Sequence, residues 1–315
     1  MKDNGYVVGI GAANIDINGR SFDRVIIHDS NPGRMNMSVG GVSRNILENL
    51  SRLGVSCYLL GVVGSDLYGH KILEHSRSAG INMDHVRVVD NHVSSTYMSI
   101  CDCDGNMALA LSDMTIMKEM TVEYLQENDK LISGARAIVT DPSVPPQVMD
   151  HLLRTYSHRI PVFLDPVSIG YSKVIKEKTG YFHTIKPNRL EAGLLADIAI
   201  ETEQDLETAC RRLLEKGVQR VIISLGKDGC WYQDQQGNVS RCCLGRVENL
   251  KNATGAGDAF MAGIIYGWLN ELPITESLEF ASAAGIMAIQ SQDTVNRELD
   301  VEHICRIIKE YKSCQ

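Results

Sequence analysis

Thr254-Gly-Ala-Gly-Asp258 is the segment whose residue types and spacing most clearly imply chemistry. It leads into Ala259-Phe-Met-Ala-Gly-Ile-Ile, which has helical character, so its two glycines fall where a helix begins. Glycine lets the backbone come close to a ligand, and the first amides of a helix have no partner within it. Such a nest of N–H groups attracts phosphate. A carboxylate at the same place competes with the anion unless it has a task of its own. Taking the proton from a hydroxyl that attacks phosphorus is such a task, because in phosphoryl transfer the protein mainly positions groups and neutralises charge. On this reading Asp258 is the catalytic base, and the amides of Gly255, Ala256 and Gly257 stabilise the transferred phosphoryl group. The competing reading is an Asp that caps a helix after a glycine-rich turn.

The elements that would position this segment alternate along the chain. Tyr6–Ile10 reads as a buried strand, and Ser43–Leu53 as a helix with Ile46, Leu47, Leu50 and Leu53 on one face and Gly54 as its stop. Cys57–Val63, Ala137–Thr140, Pro161–Asp165, Tyr181–Ile185 and Arg220–Leu225 read as further short strands, each followed by turn or helix-start residues. The alternation predicts an α/β fold with a mostly parallel sheet and helices on both faces. Two stretches break the rhythm. Residues 18–39 lack helical period and contain the turn Asn31-Pro-Gly33, and residues 93–111 alternate around the hairpin signal Asp104-Gly105. These predict a small β-sheet standing off the main one, usable as a lid or a dimer interface. No internal repeat, low-complexity stretch or linker divides the chain, so the expectation is one domain over 1–315.

Bulk properties exclude several classes. The chain has 315 residues, 44% apolar and 22% charged, with net charge −8 and no long block of like charges. That balance suits a globular protein and opposes nucleic-acid binding, which asks for a basic face. No apolar run approaches the ~20 residues of a membrane span, and the N-terminus lacks the regions of a signal peptide. The nine cysteines are scattered without CxxC spacing, as expected of reduced thiols in a cytoplasmic protein.

Taken with the rest of the chain, the Thr254–Asp258 segment resembles the hallmark of the ribokinase-like (PfkB) carbohydrate and nucleoside kinases. Gly11-Ala-Ala-Asn14-Ile-Asp16 is similar to the family's first strand and the Asp that binds substrate hydroxyls; two acceptor oxygens suit a vicinal diol. A dinucleotide fingerprint competes here, since Gly9 and Gly11 begin GxGxxG, but Asn14 stands at its last position. Gly40-Gly41-Val-Ser-Arg-Asn45 resembles the N-terminal signature, whose glycines and Asn approach the sugar. Lys186-Pro-Asn188-Arg-Leu-Glu191 matches the NxxE motif, which implies that Glu191 helps place Mg2+ through water. Ser224-Leu-Gly226-Lys-Asp-Gly229 is similar to the nucleotide loop, and no P-loop pattern occurs. The resemblance implies a three-layer α/β/α sandwich, ATP and Mg2+ as cofactors, and a homodimer paired through the β-lid. The family pattern usually begins Asp-Thr where this chain has Asn252-Ala253, a change that bears on a monovalent cation (K+) beside the loop.

Asn14-Ile-Asp16, Asp29-Ser-Asn-Pro-Gly33, Ser94-Ser-Thr-Tyr-Met-Ser99, Ser112-Asp-Met114, Asp165-Pro-Val-Ser168 and Asn252 are further similar to the pseudouridine-kinase branch. That likeness implies phosphorylation of a nucleoside 5′-hydroxyl, with Ser30, Asn31, Tyr97, Ser99 and Asp113 as candidates to read the base. A ribokinase or another nucleoside kinase would use the same base and anion hole. Arg34 and Arg44 could hold a second phosphate in a phosphosugar kinase. A nucleoside-binding protein without catalysis is the reading from a different class.

Overall fold

The computed structural model describes residues 5–245 and 254–313. Nine strands form the central sheet. In chain order these are β1 (Tyr6–Ile10), β4 (Ser56–Leu60), β6 (Ile81–Asn82), β10 (Ala137–Thr140), β11 (Val162–Leu164), β12 (Thr184–Ile185), β13 (Arg220–Ser224), β14 (Cys230–Asp234) and β15 (Val239–Cys242). The numbers between belong to β2 (Asn14–Ser21), β3 (Gly33–Gly40), β5 (Val62–Gly64), β7 (Arg87–Val89), β8 (Thr96–Cys101) and β9 (Met107–Asp113). Across the central sheet the order is β15-β14-β13-β12-β11-β10-β1-β4-β6, and neighbours are parallel except in the β13–β14 and β14–β15 pairs, because β14 alone is reversed.

Alternation along each strand splits the core in two. Val7, Val139, Phe163 and Ile222 face one side, with helices α1 (Val42–Arg52), α9 (Ala256–Leu269) and α10 (Ile274–Ile289) packed over them. Val8, Ile138, Val162, Leu164, Val221 and Ile223 face the other side, under α5 (Pro146–Tyr156), α7 (Arg189–Ala196) and α8 (Glu203–Glu215). The result is the expected α/β/α sandwich.

The chain leaves β1 toward β4 on one side and reaches β10 on the other. In open parallel sheets, ligands bind in the crevice beyond the carboxyl ends of strands at such a reversal. Gly11 follows β1, Asp141 follows β10, Asp165 follows β11 and Lys186 follows β12, so the chemistry-bearing residues gather at that edge.

The second sheet has the order β3-β2-β8-β9, and its strands arise from the two stretches that broke the helical rhythm. Its register puts Asp16 opposite Ser38 and Tyr97, and Asn18 opposite Asn36 and Ser99, giving one polar face. The other face carries Ile17, Met37, Met98 and Leu111, and Met35, Leu109 and Leu111 are exposed by 72%, 61% and 69%.

Two strand expectations need correction. Cys57–Val63 is not one strand: it divides at Gly61, whose carbonyl accepts from Arg87 N and Tyr124 Oη, and Val62–Gly64 pairs with Arg87–Val89 in a separate small sheet. Tyr181–Ile185 narrows to Thr184–Ile185, because residues 176–181 coil as a 3-10 helix. Among the described residues no helix is long and apolar enough to cross a membrane.

Candidate active site

Asp258 sits in the first turn of α9, whose N-cap is Gly255 at φ 84°. A side chain at Gly255 would strike the Thr294 carbonyl carbon and oxygen, so backbone fills the space where a Cβ would go. The N-cap is Gly255 and not Asp258, and a glycine offers the first amides of this 14-residue helix no side-chain bond of its own. Asp258 lies inside the first turn instead.

The Asp258 carboxylate is 8% exposed and accepts a 2.8 Å hydrogen bond from Asn45 Nδ2, which joins the starts of α9 and α1. Its pKa is pushed up to about 7, by burial first and then by the negative Asp165. The Asn45 bond, Lys186 and Arg44 pull it back without cancelling the rise. A carboxyl poised there can gain or lose a proton near neutrality, as a general base must.

Lys186 pairs with Asp165 at 3.0 Å, both nearly buried. Burial alone would lower the Lys186 pKa, but the charges of Asp165, Glu191 and Asp258 raise it overall, so the ammonium is kept. A Cβ on Gly257 would come to 3.2 Å from Lys186 Nζ. Gly257 therefore lets the first turn of α9 and the Lys186 ammonium meet.

Around Asp16 the packing is equally tight. Asn14 Nδ2 donates to Asp16 Oδ1 at 2.6 Å, and a side chain at Gly40 would overlap the Asp16 carboxylate. Burial raises the Asp16 pKa, with the Asn14 bond and Arg44 opposing. Gly41, at φ 102°, is the N-cap of α1 and lies against the Ala12 carbonyl, as only glycine can. Gly9 makes room for Leu47, and Gly11 for Asp141 and Ser43. Helix packing thus accounts for both glycines of the incomplete dinucleotide fingerprint.

The family model described as pfkB family carbohydrate kinase matches residues 4–300. The chain belongs to the PfkB family of carbohydrate kinases. Pseudouridine kinase of Escherichia coli (strain K12) is 36% identical over 309 residues, covering 98% of each chain. Guanosine-inosine kinase of Exiguobacterium acetylicum is 25% identical, covering 92% of this chain and 97% of that one. Arabidopsis thaliana ribokinase, solved with ribose and ATP, superposes with a TM-score of 0.89 at 20% identity, covering 97% and 99% of the two chains.

The other expected PfkB site residues fall into three groups. Asn188 and Glu191 are joined as a capping box on α7: Asn188 Oδ1 accepts from Leu190 N and Glu191 N, and Glu191 Oε2 accepts from Asn188 N. Asn188 also bridges to Ser224, which places the Gly226–Gly229 turn alongside. Gly226 and Gly229 have φ of 61° and 84°. Tyr97 shares the polar face with Asp16, Asn18 and Ser99, and Ser99 Oγ donates to Asn18 Oδ1 at 2.6 Å.

The structure does not bring the remaining candidates there. Asp113 pairs with Thr96, one residue out of phase with Tyr97, so it faces away from Asp16 and caps Thr115 N instead. Ser30 lies exposed in the loop before Gly33, where Asn31 folds back on Ile26 and Asp29. Arg44 is 1% exposed and committed to internal bonds, so it is no phosphate hook. Asn252 and Ala253 lie outside the described residues.

Two carboxylates were not singled out from sequence as site residues. Asp165 and Asp141 each directly follow a central strand, and that position was the available signal. Asp141 is 2% exposed and accepts from Ser43 N, Ser43 Oγ and Ser143 N, fastening the start of α1 to β10.

The raised Asp258 pKa has a consequence for folding. Between about pH 4 and about pH 7 the folded chain keeps a proton that the unfolded chain, with the ordinary value of 3.8, has lost. Stability contributed by this group therefore falls as pH rises through that window. The Asp258→Asn variant escapes the loss. Its melting temperature relative to wild type is expected to climb from about pH 5 to about pH 8, measured by calorimetry; a difference independent of pH would contradict the assignment.

Proposed function

We propose that this PfkB kinase transfers the γ-phosphoryl group of ATP to the 5′-hydroxyl of pseudouridine, giving pseudouridine 5′-phosphate and ADP. The observation that carries the kinase chemistry is the buried Asp258 in the first turn of a helix that begins at Gly255, with Lys186 beside Gly257. Asp258 takes the hydroxyl proton as the O5′–P bond forms and the bond from the γ-phosphorus to the ADP oxygen breaks. The amides of Gly255, Ala256 and Gly257, with Lys186, balance charge on the transferred group.

The nucleotide is assigned to the edge formed by Lys186, Asn188, Ser224, Gly226 and Gly229. Glu191 is the residue that would help hold Mg2+. Among the described residues no group of three or more His, Cys, Asp or Glu side chains could cage a metal. An ion carried by ATP phosphates, keeping waters and touching Glu191 through one of them, agrees with that. It would neutralise phosphate charge.

The ribose is assigned to Asn14, Asp16, Gly40, Gly41 and Asn45, and the base to the polar face bearing Tyr97 and Ser99. Support for pseudouridine is the likeness to the Escherichia coli enzyme across 98% of both chains, at 36% identity. The second sheet serves as a lid that excludes water from the reaction.

The exposed apolar face of that lid, with Met35, Leu109 and Leu111, supports a homodimer. Sedimentation should show a wild-type dimer and a monomer for Leu109→Asp combined with Leu111→Asp. A monomeric wild type would refute the pairing.

A coupled assay of ADP release across pseudouridine, uridine, adenosine, inosine and ribose tests the substrate, with Asp258→Asn as control. Pseudouridine should give the highest kcat/KM, and the variant should lose ~10²–10⁴-fold in turnover. Faster use of ribose or adenosine would overturn the substrate and leave the kinase. Near-normal turnover by the variant would overturn the base.

A further inference from the structure

Asn45, at the edge assigned to the ribose, also bonds the Asp258 carboxylate, and its amide orientation is set from behind. Nδ2 donates to Asp258 Oδ2 at 2.8 Å, while Oδ1 accepts from Arg44 Nη2 at 2.5 Å. An Asn amide has a donor end and an acceptor end, and its flip is decided by its partners. Reversed, it would set Oδ1 against the Asp258 carboxylate. Arg44 offers only donors, so it admits the productive orientation alone.

Arg44 is itself fixed. Nη1 donates to Glu48 Oε2 at 2.7 Å, one helical turn on, and Nη2 also reaches the Val39 carbonyl at 3.2 Å. Glu48 is shared with Arg52 at 2.7 Å and His75 at 3.5 Å. Burial pushes the Glu48 carboxyl up, but His75, Arg44 and Arg52 prevail and hold it at about 2, so the anchor stays charged at any working pH.

A chain of bonds thus runs from the half-exposed His75 through Glu48, Arg44 and Asn45 to Asp258. For stability alone the arrangement is a poor choice. Burying an ion pair often gains nothing over packed apolar side chains, and Arg44 Nε finds no acceptor among the described residues.

We propose that Arg44 is a positioning residue for phosphoryl transfer: its guanidinium locks the Asn45 amide so that Nδ2 faces the Asp258 carboxylate and the carboxylate is held toward the attacking hydroxyl. The inference rests on Asp258 being the base. The charged groups facing these two residues are Asp165 and Lys186 at Asp258, and Glu48 and Asp16 at Arg44. Lys71, His75, Asp293 and Arg297 line with Arg44 a cavity of about 140 Å³ on its outer side.

The test is steady-state kinetics of Arg44→Met and Arg44→Lys against wild type, with melting temperatures to establish folding. Arg44→Met loses both lock and charge. Its kcat should fall about tenfold or more while KM for ATP stays within about threefold. The acid limb of its kcat profile should move to higher pH by about half a unit or more, since a cation near the base has gone. Arg44→Lys keeps the charge without the fork, so its acid limb should stay in place while kcat still falls.

A folded Arg44→Met with wild-type kcat and acid limb would overturn the proposal. If Arg44→Met does not fold, a folded Arg44→Lys with wild-type kcat would do the same. An active Asp258→Asn would remove the base and this inference together; an inactive Asp258→Asn beside a wild-type-like Arg44→Met would remove the inference alone.

Discussion

The site depends on keeping one carboxylate buried, and on the neighbours that decide whether it carries a proton. Desolvation and Asp165 push Asp258 toward the neutral form, while Asn45, Lys186 and Arg44 pull it toward the anion. Neither side prevails completely, and the pKa near 7 follows. An unpaired buried carboxylate would simply stay protonated and could not act as a base, whereas one fully satisfied by cations would hold no affinity for a proton. The balance needs the two cations at particular places, and most of the surrounding structure serves that end.

The fold supplies those places by convergence. Three successive parallel strands are followed directly by Asp141, Asp165 and Lys186, and the starts of α1 and α9 close over them. Helix–sheet distance is set by the residues that are missing. Leu47 fills the space at Gly9, Asp141 and Ser43 the space at Gly11, and Lys186 lies against Gly257. Gly263 similarly lets α9 rest on Ala281 of α10, which supports the helix that carries Asp258. The second sheet brings Asp16 to the same crevice because its carboxylate occupies the space above Gly40.

Much of this was legible in the residues. Short apolar runs alternating with helical patterns yield a parallel sheet because both faces must be covered. Asp104-Gly105 marked the hairpin between β8 and β9. Thr254–Asp258 marked the start of α9. What sequence concealed was partnership across the fold. Asp165 and Asn45 matter through Asp258, far along the chain, and no local spacing encodes those contacts. Asp113 was misjudged because facing in a strand depends on register, which a single residue's slip reverses. Gly61 interrupts its strand because Arg87 and Tyr124 claim its carbonyl, again a distant demand. Asn188 and Glu191 show a further ambiguity, since one motif serves both as a capping box and as a family signature.

The central claim is that a buried carboxyl titrating near neutrality drives the reaction. The most direct measurement is wild-type kcat/KM for the nucleoside as a function of pH at saturating ATP, which reports the ionisation of the enzyme before that substrate binds. The account predicts an acid limb with an apparent pKa of about 7, the value set by burial and Asp165 against Lys186, Arg44 and Asn45. A profile flat down to the ordinary carboxylate range, near 3.8, would contradict it.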